Sequence, residues 1–122
     1  MSTKPLRTPM PPHPQQLGDL EELVLLAVLR LGDKAYGASI REELKAQADR
    51  SVSISTVYVT LMRMEEKGLS RSWMGEPSGE RGGKAKRHFQ VSPEGIQALE
   101  ASRSVREHMW ARVERGSAAH VG

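Results

Sequence analysis

The stretch Val52-Ser53-Ile54-Ser55-Thr56-Val57-Tyr58-Val59-Thr60-Leu61-Met62-Arg63-Met64-Glu65-Glu66-Lys67-Gly68 decides the fold. Ser53 carries the hydroxyl that satisfies open N–H groups at a helix start, and Gly68 suits the left-handed residue that ends a helix. At about 100° per residue, Ile54, Val57, Leu61 and Met64 fall on one side, with Tyr58 on its edge. Ser55, Thr56, Val59, Thr60 and Arg63 are expected to point the other way. That outer face offers hydroxyls, one apolar group and a guanidinium, which can reach phosphates, base edges or thymine methyl groups. Its first two turns carry no acid, since Glu65 and Glu66 come only later.

Working upstream, Asp19 with Glu22 three residues on has the capping-box spacing and places a helix start there. Leu20, Leu23, Val24, Ala27, Val28 and Leu31 make one helical stripe, and Gly32 follows as a stop. Leu25, Leu26 and Leu29 fall on the opposite side. A helix apolar on two faces is buried on two faces, and a partner subunit is the economical cover for the second. Ala35-Tyr36-Gly37 is a short connection into a second helix, Ala38 to Ala48, with Ile40 and Leu44 inward.

Downstream, the period changes. Residues 69–74 and 86–91 are candidate strands around a turn-rich segment, Gly75 to Ala85, which makes a hairpin. Ser92-Pro93-Glu94 then supplies a cap, a proline at the first helical position and an acid in the first turn. The last helix is expected to run to about Arg115 and to end at Gly116. Its apolar residues Ala98, Leu99, Val105, Met109, Trp110 and Val113 form a broad stripe interrupted by Arg106.

Helix, short connection and helix have the form of a helix-turn-helix, and a basic hairpin after it is a wing. The expected fold is α+β but mostly α, a winged helix-turn-helix with an added C-terminal dimerisation helix. Residues 1–16 hold five of the seven prolines and read as a flexible arm. Residues 17–91 are the winged helix, 92–116 the dimerisation helix and 117–122 a tail.

Charge distribution supports a nucleic-acid partner. The formal net charge is only +3, but residues 67–91 carry six basic side chains against two acidic ones, while residues 17–66 carry six against nine. The basic excess therefore collects on the wing, where Arg81, Lys84, Lys86 and Arg87 are candidate phosphate contacts. There are no cysteines, which suits a reducing cytoplasm and removes thiolate metal sites and cysteine nucleophiles. The longest apolar run, Leu23 to Leu29, is far too short to span a bilayer. His13, His88, His108 and His120 are scattered, so no metal is expected. No cofactor or enzymatic activity is expected either. Gly79 to Gly83 lies in a hairpin tip rather than between strand and helix, and no serine sits in a nucleophile elbow.

The run Leu23 to Gly32, Ala35-Tyr36-Gly37, Val52 to Tyr58, Leu61 to Leu69, Gly82-Gly83-Lys84, Lys86 to Phe89 and Ser92 to Gly95 resembles the PadR family of bacterial transcriptional regulators. The resemblance covers roughly residues 20 to 100. It implies a homodimeric winged-helix repressor whose C-terminal helix pairs the subunits, of the smaller subtype with a single such helix. It also implies that Tyr58 lies against double-stranded DNA; where the family often has proline next, this chain has Val59. Together with the residues above, the DNA-contacting set is Ser53, Ser55, Thr56, Tyr58, Val59, Thr60, Arg63, Arg81, Lys84, Lys86 and Arg87. The dimer interface is Leu25, Leu26, Leu29, Val105, Met109, Trp110 and Val113. Resemblance to drug-binding members implies a pocket for a small aromatic or phenolic effector beside Arg106, Met109 and Trp110. The competing class is a winged-helix protein-interaction module without specific DNA binding.

Overall fold

The computed structural model describes residues 16–76 and 85–121, with side chains through Val113. Arg81, Lys84 and nearly all of the proline-rich arm lie outside the described residues. The elements are α1 (Asp19–Leu31), a 3-10 turn (Gly32–Lys34), α2 (Gly37–Ala48), α3 (Ile54–Glu66), β1 (Ser70–Met74), β2 (Arg87–Val91) and α4 (Pro93–Val121).

Local chemistry sets most of these boundaries. α1 is capped one residue earlier than its sequence suggests. Gly18 is the cap, and its N–H donates to Glu21 Oε1 at 2.8 Å. Asp19 thereby becomes the first helical residue, and Asp19, Glu21 and Glu22 all sit in the first turn, where the helix dipole favours acids. α3 starts as expected, with Ser53 Oγ accepting from the Thr56 N–H at 3.0 Å. It ends at Gly68, whose φ of 78° is left-handed, while the Leu69 N–H returns to the Met64 carbonyl at 2.9 Å. α4 does not stop at Gly116 but continues to Val121, so the segment expected as a tail is helical through that residue. A lone glycine costs a helix about 1 kcal/mol relative to alanine, and neither a proline nor another glycine stands between it and Val121.

The wing strands pair antiparallel, with Ser70 opposite Val91, Ser72 opposite Phe89 and Met74 opposite Arg87. The free edge of β2 meets the helix-turn-helix. Tyr36 forms an isolated bridge with His88, and the Phe89 N–H donates to the Ala35 carbonyl at 2.9 Å. At the other end of the wing, Ser92 Oγ accepts from the Gly95 N–H at 3.0 Å and donates to the Gly68 carbonyl at 2.6 Å. One serine thus caps α4 and ties it to the α3–β1 turn. A Cβ on Gly95 would run into the Leu69 carbonyl, so the helix and turn can approach this closely only at glycine.

The core is formed by Val24, Leu25 and Val28 of α1, Ile40 and Leu44 of α2, Val57, Leu61 and Met64 of α3, then Leu69, Phe89, Val91, Ala98 and Leu99. Leu25 corrects the reading of α1. Expected on an intersubunit face, it is 0% exposed within the single chain. α1 is central, contacting α2, α3, β2 and α4, so part of its second face is covered internally. Leu25 sits at the border of the two faces, and Leu26 and Leu29 alone of that trio remain exposed. This is a winged helix with a long C-terminal helix. Among the described residues, no helix is long and apolar enough to cross a membrane.

Candidate nucleic-acid interface

The outer face of α3 is formed by Ser55, Val59, Met62, Arg63 and Glu66, all exposed, with Thr56 half-buried on its flank. Among the described residues, no carboxylate pairs with Arg63. Thr60, assigned to this face by projection, is only 5% exposed and belongs with the core. It lies about 60° from Val57 around the helix, and a small threonine there is covered by its tertiary neighbours. Met62, on the side of the helix away from Thr60, belongs to the outer face instead and is 44% exposed. Methionine is normally core filler, which hides it in the sequence, although its offsets from Ser55 and Val59 place it beside them.

Tyr58 stands between α3 and the wing. Its ring is 5.8 Å from that of Phe89, tilted by 55°. A Cβ on Gly37 would come within 3.0 Å of the Tyr58 hydroxyl, so glycine at the start of α2 makes room for the ring. Tyr36, Gly37, Ile54, Tyr58, Met74 and Lys86 are among the residues lining an open groove of about 440 Å³ between the helix-turn-helix and the wing.

The basic run of the wing divides. Lys86 is exposed, with its ammonium 4.1 Å from the centre of the Tyr36 ring, a cation–π contact. Tyr36 thus positions a wing lysine, a role not visible in the sequence. Arg87, expected as a free phosphate contact, is half-buried and engaged. Its guanidinium donates to Ser72 Oγ at 2.9 Å, and Ser72 Oγ donates to Glu65 Oε1 at 2.9 Å. Alternation along β2 explains the split, since Arg87 shares a side with buried Phe89 and Val91 whereas Lys86 does not. Arg87 braces the wing against α3. On the opposite side of the hairpin, Trp73 stacks on His88 with ring centres 5.8 Å apart.

A second surface runs along α4. Ser102 donates to Glu22 Oε2 at 3.2 Å, and Arg106 reaches Glu22 Oε1 at 3.5 Å, so the first part of α4 is fastened to α1. Within and beyond this clamp, Val105, Met109, Trp110 and Val113 are all exposed, Trp110 at 63%. Arg106 is expected from the sequence to join Trp110 and Met109 as an effector contact; its guanidinium is instead held by Glu22 and Ser102. Among the described residues, no cluster of three or more histidine or acidic side chains could hold a metal ion.

Three helices with a two-stranded wing, and a half-exposed helix beside a basic strand, define the class of winged helix-turn-helix proteins. The sequence profile of the PadR-like family of transcriptional regulators matches residues 25–101, well over half of the chain, and the chain belongs to that family. Its members are regulators rather than enzymes. There is no significant match among curated proteins. Among solved structures, a transcriptional regulator from Clostridium thermocellum is similar at 21% identity and a TM-score of 0.61, covering 79% of this chain and 87% of its own. A PadR-like transcription factor from Bacteroides fragilis is similar at 23% identity and a TM-score of 0.61, with the same coverage. Bacillus subtilis PadR, solved in complex with operator DNA, is similar at 16% identity and a TM-score of 0.54, covering 68% of this chain and 45% of its own. At these identities the likeness is one of fold.

Proposed function

We propose that this chain is a cytoplasmic, homodimeric transcriptional repressor that inserts α3 into the major groove of a pseudo-palindromic operator. The observation that carries the reading is the outer face of α3. Ser55, Val59, Met62 and Arg63 are exposed without a role in the fold, and no acid precedes Glu65 along the helix. Lys86 stands on the wing and lines one groove with Ile54 and Tyr58 of the same helix, with Arg81 and Lys84 close to it in sequence. Phosphate contacts from Ser53, Thr56, Tyr58 and the wing lysines would fix register, and the centre of the face would read bases.

The exposed stripe of α4 supports dimerisation. Val105, Met109, Trp110 and Val113, with Leu26 and Leu29 on α1, leave more apolar surface wet than a small monomer ordinarily tolerates. Pairing this surface about a two-fold axis would set the two α3 helices apart by about one turn of DNA, roughly 34 Å. A small aromatic or phenolic effector seated beside Met109 and Trp110 would alter that separation if it bound the two arrangements with different affinity. Titrating the protein onto duplex DNA at a series of salt concentrations tests the reading. The logarithm of affinity should fall linearly with the logarithm of salt, by about 0.9 per phosphate neutralised. Absence of duplex binding at low salt would leave the protein-interaction module as the better account.

A further inference from the structure

The centre of the outer α3 face is apolar. Val59 is 55% and Met62 44% exposed, and neither belongs to the core. Residues three apart on a helix are surface neighbours with Cβ atoms about 5–6 Å apart, close enough to meet neighbouring base steps about 3.4 Å apart. Ser55 lies one turn before Val59 and Arg63 one turn after it, so the apolar pair is bounded by polar groups along the helix. A lone exposed valine would be ordinary surface. A contiguous pair at the middle of a polar face is a small contact site.

The residues that are missing narrow its ligand. Adenine is gripped through N6 and N7 by asparagine or glutamine, and α3, Ile-Ser-Thr-Val-Tyr-Val-Thr-Leu-Met-Arg-Met-Glu-Glu, has neither. An A·T pair still presents the C5 methyl of thymine in the major groove, and apolar side chains recognise that group. We infer that Val59 and Met62 read thymine methyl groups at adjacent steps of each half-site, with Arg63 and Ser55 taking the polar contacts on either side. This inference rests on the DNA-binding reading above and specifies the sequence class it would select, duplexes with neighbouring thymines.

Deoxyuridine tests it directly, because replacing thymine with uracil removes the methyl and keeps the base pair. Duplexes enriched from a random pool by the full-length protein are resynthesised with each thymine replaced singly by deoxyuridine. Affinity should fall about four-fold for each methyl that is contacted, at one or two positions in each half-site. In Val59→Ser, with its thermal midpoint unchanged, the penalty at the Val59 position should vanish. Wild-type protein that binds every uracil-substituted duplex as tightly as the parent overturns the inference and leaves the DNA-binding reading standing. Failure to enrich or bind any duplex removes that reading and the inference with it.

Discussion

Leu61 and Arg63 are two residues apart on α3, and their positions give them opposite duties. Leu61 is fully buried among Val57, Met64 and the cores of α1 and α2. Truncating it to alanine removes three carbons from a packed interior and leaves a cavity that the surrounding helices close only in part. The expected loss is about 2–5 kcal/mol. Arg63 is exposed, with no carboxylate partner among the described residues, so Arg63→Ala should change stability by less than about 0.5 kcal/mol. Its effect should appear on DNA. Removing a bidentate hydrogen bond to guanine would cost about 1–3 kcal/mol and only at sites carrying that base, whereas removing a phosphate interaction would weaken all duplexes alike. Urea melts at one fixed protein concentration measure the first quantity, because a dimer's stability depends on concentration. Fluorescence anisotropy on enriched and scrambled duplexes measures the second. If Arg63→Ala proves the more destabilising change, or Leu61→Ala folds normally and forfeits only DNA binding, the assignment of faces is reversed.

Gly95→Ala should destabilise the fold by about 1–3 kcal/mol in thermal melts, because the new Cβ meets the Leu69 carbonyl, which belongs to backbone and cannot swing aside. Replacing Lys84 and Lys86 with alanine should weaken specific and non-specific duplexes together and make the salt slope shallower, by about 0.9 for each phosphate no longer neutralised. Arg87→Ala should by contrast lower the melting temperature, since it removes the brace from wing to Ser72 and Glu65. Changing Met109 and Trp110 together to Asp should leave the helix-turn-helix folded by circular dichroism and yield monomer on a sizing column.

Local signals are the legible part of this chain. The cap at Ser53, the left-handed Gly68 and the cap at Ser92 are decided by neighbours a few residues away, so sequence places those boundaries within a residue or two. The inward faces of α2 and α3 follow from periodicity. Misplaced residues share a physical cause. Leu25 and Thr60 sit between faces, where burial depends on which distant element arrives, and periodicity carries no information about that. Charge groups Arg87 with Lys86, although strand alternation separates them once the register of β2 is fixed. Its partners Ser72 and Glu65 come from two other elements. Position along α4 groups Arg106 with the apolar stripe, while Glu22, more than eighty residues away, holds it. Tyr36 as the platform for Lys86 depends on the bridge to His88, a pairing across some fifty residues that no local pattern announces.

In the proposed mode of action, two copies joined through α4 hold one duplex. Sedimentation velocity of the intact chain at micromolar concentration, alone and with an enriched duplex, tests it most directly. The chain alone should sediment as a dimer, and with duplex as a single faster species of two chains on one duplex. A compact monomer that sediments unchanged in the presence of duplex would contradict it.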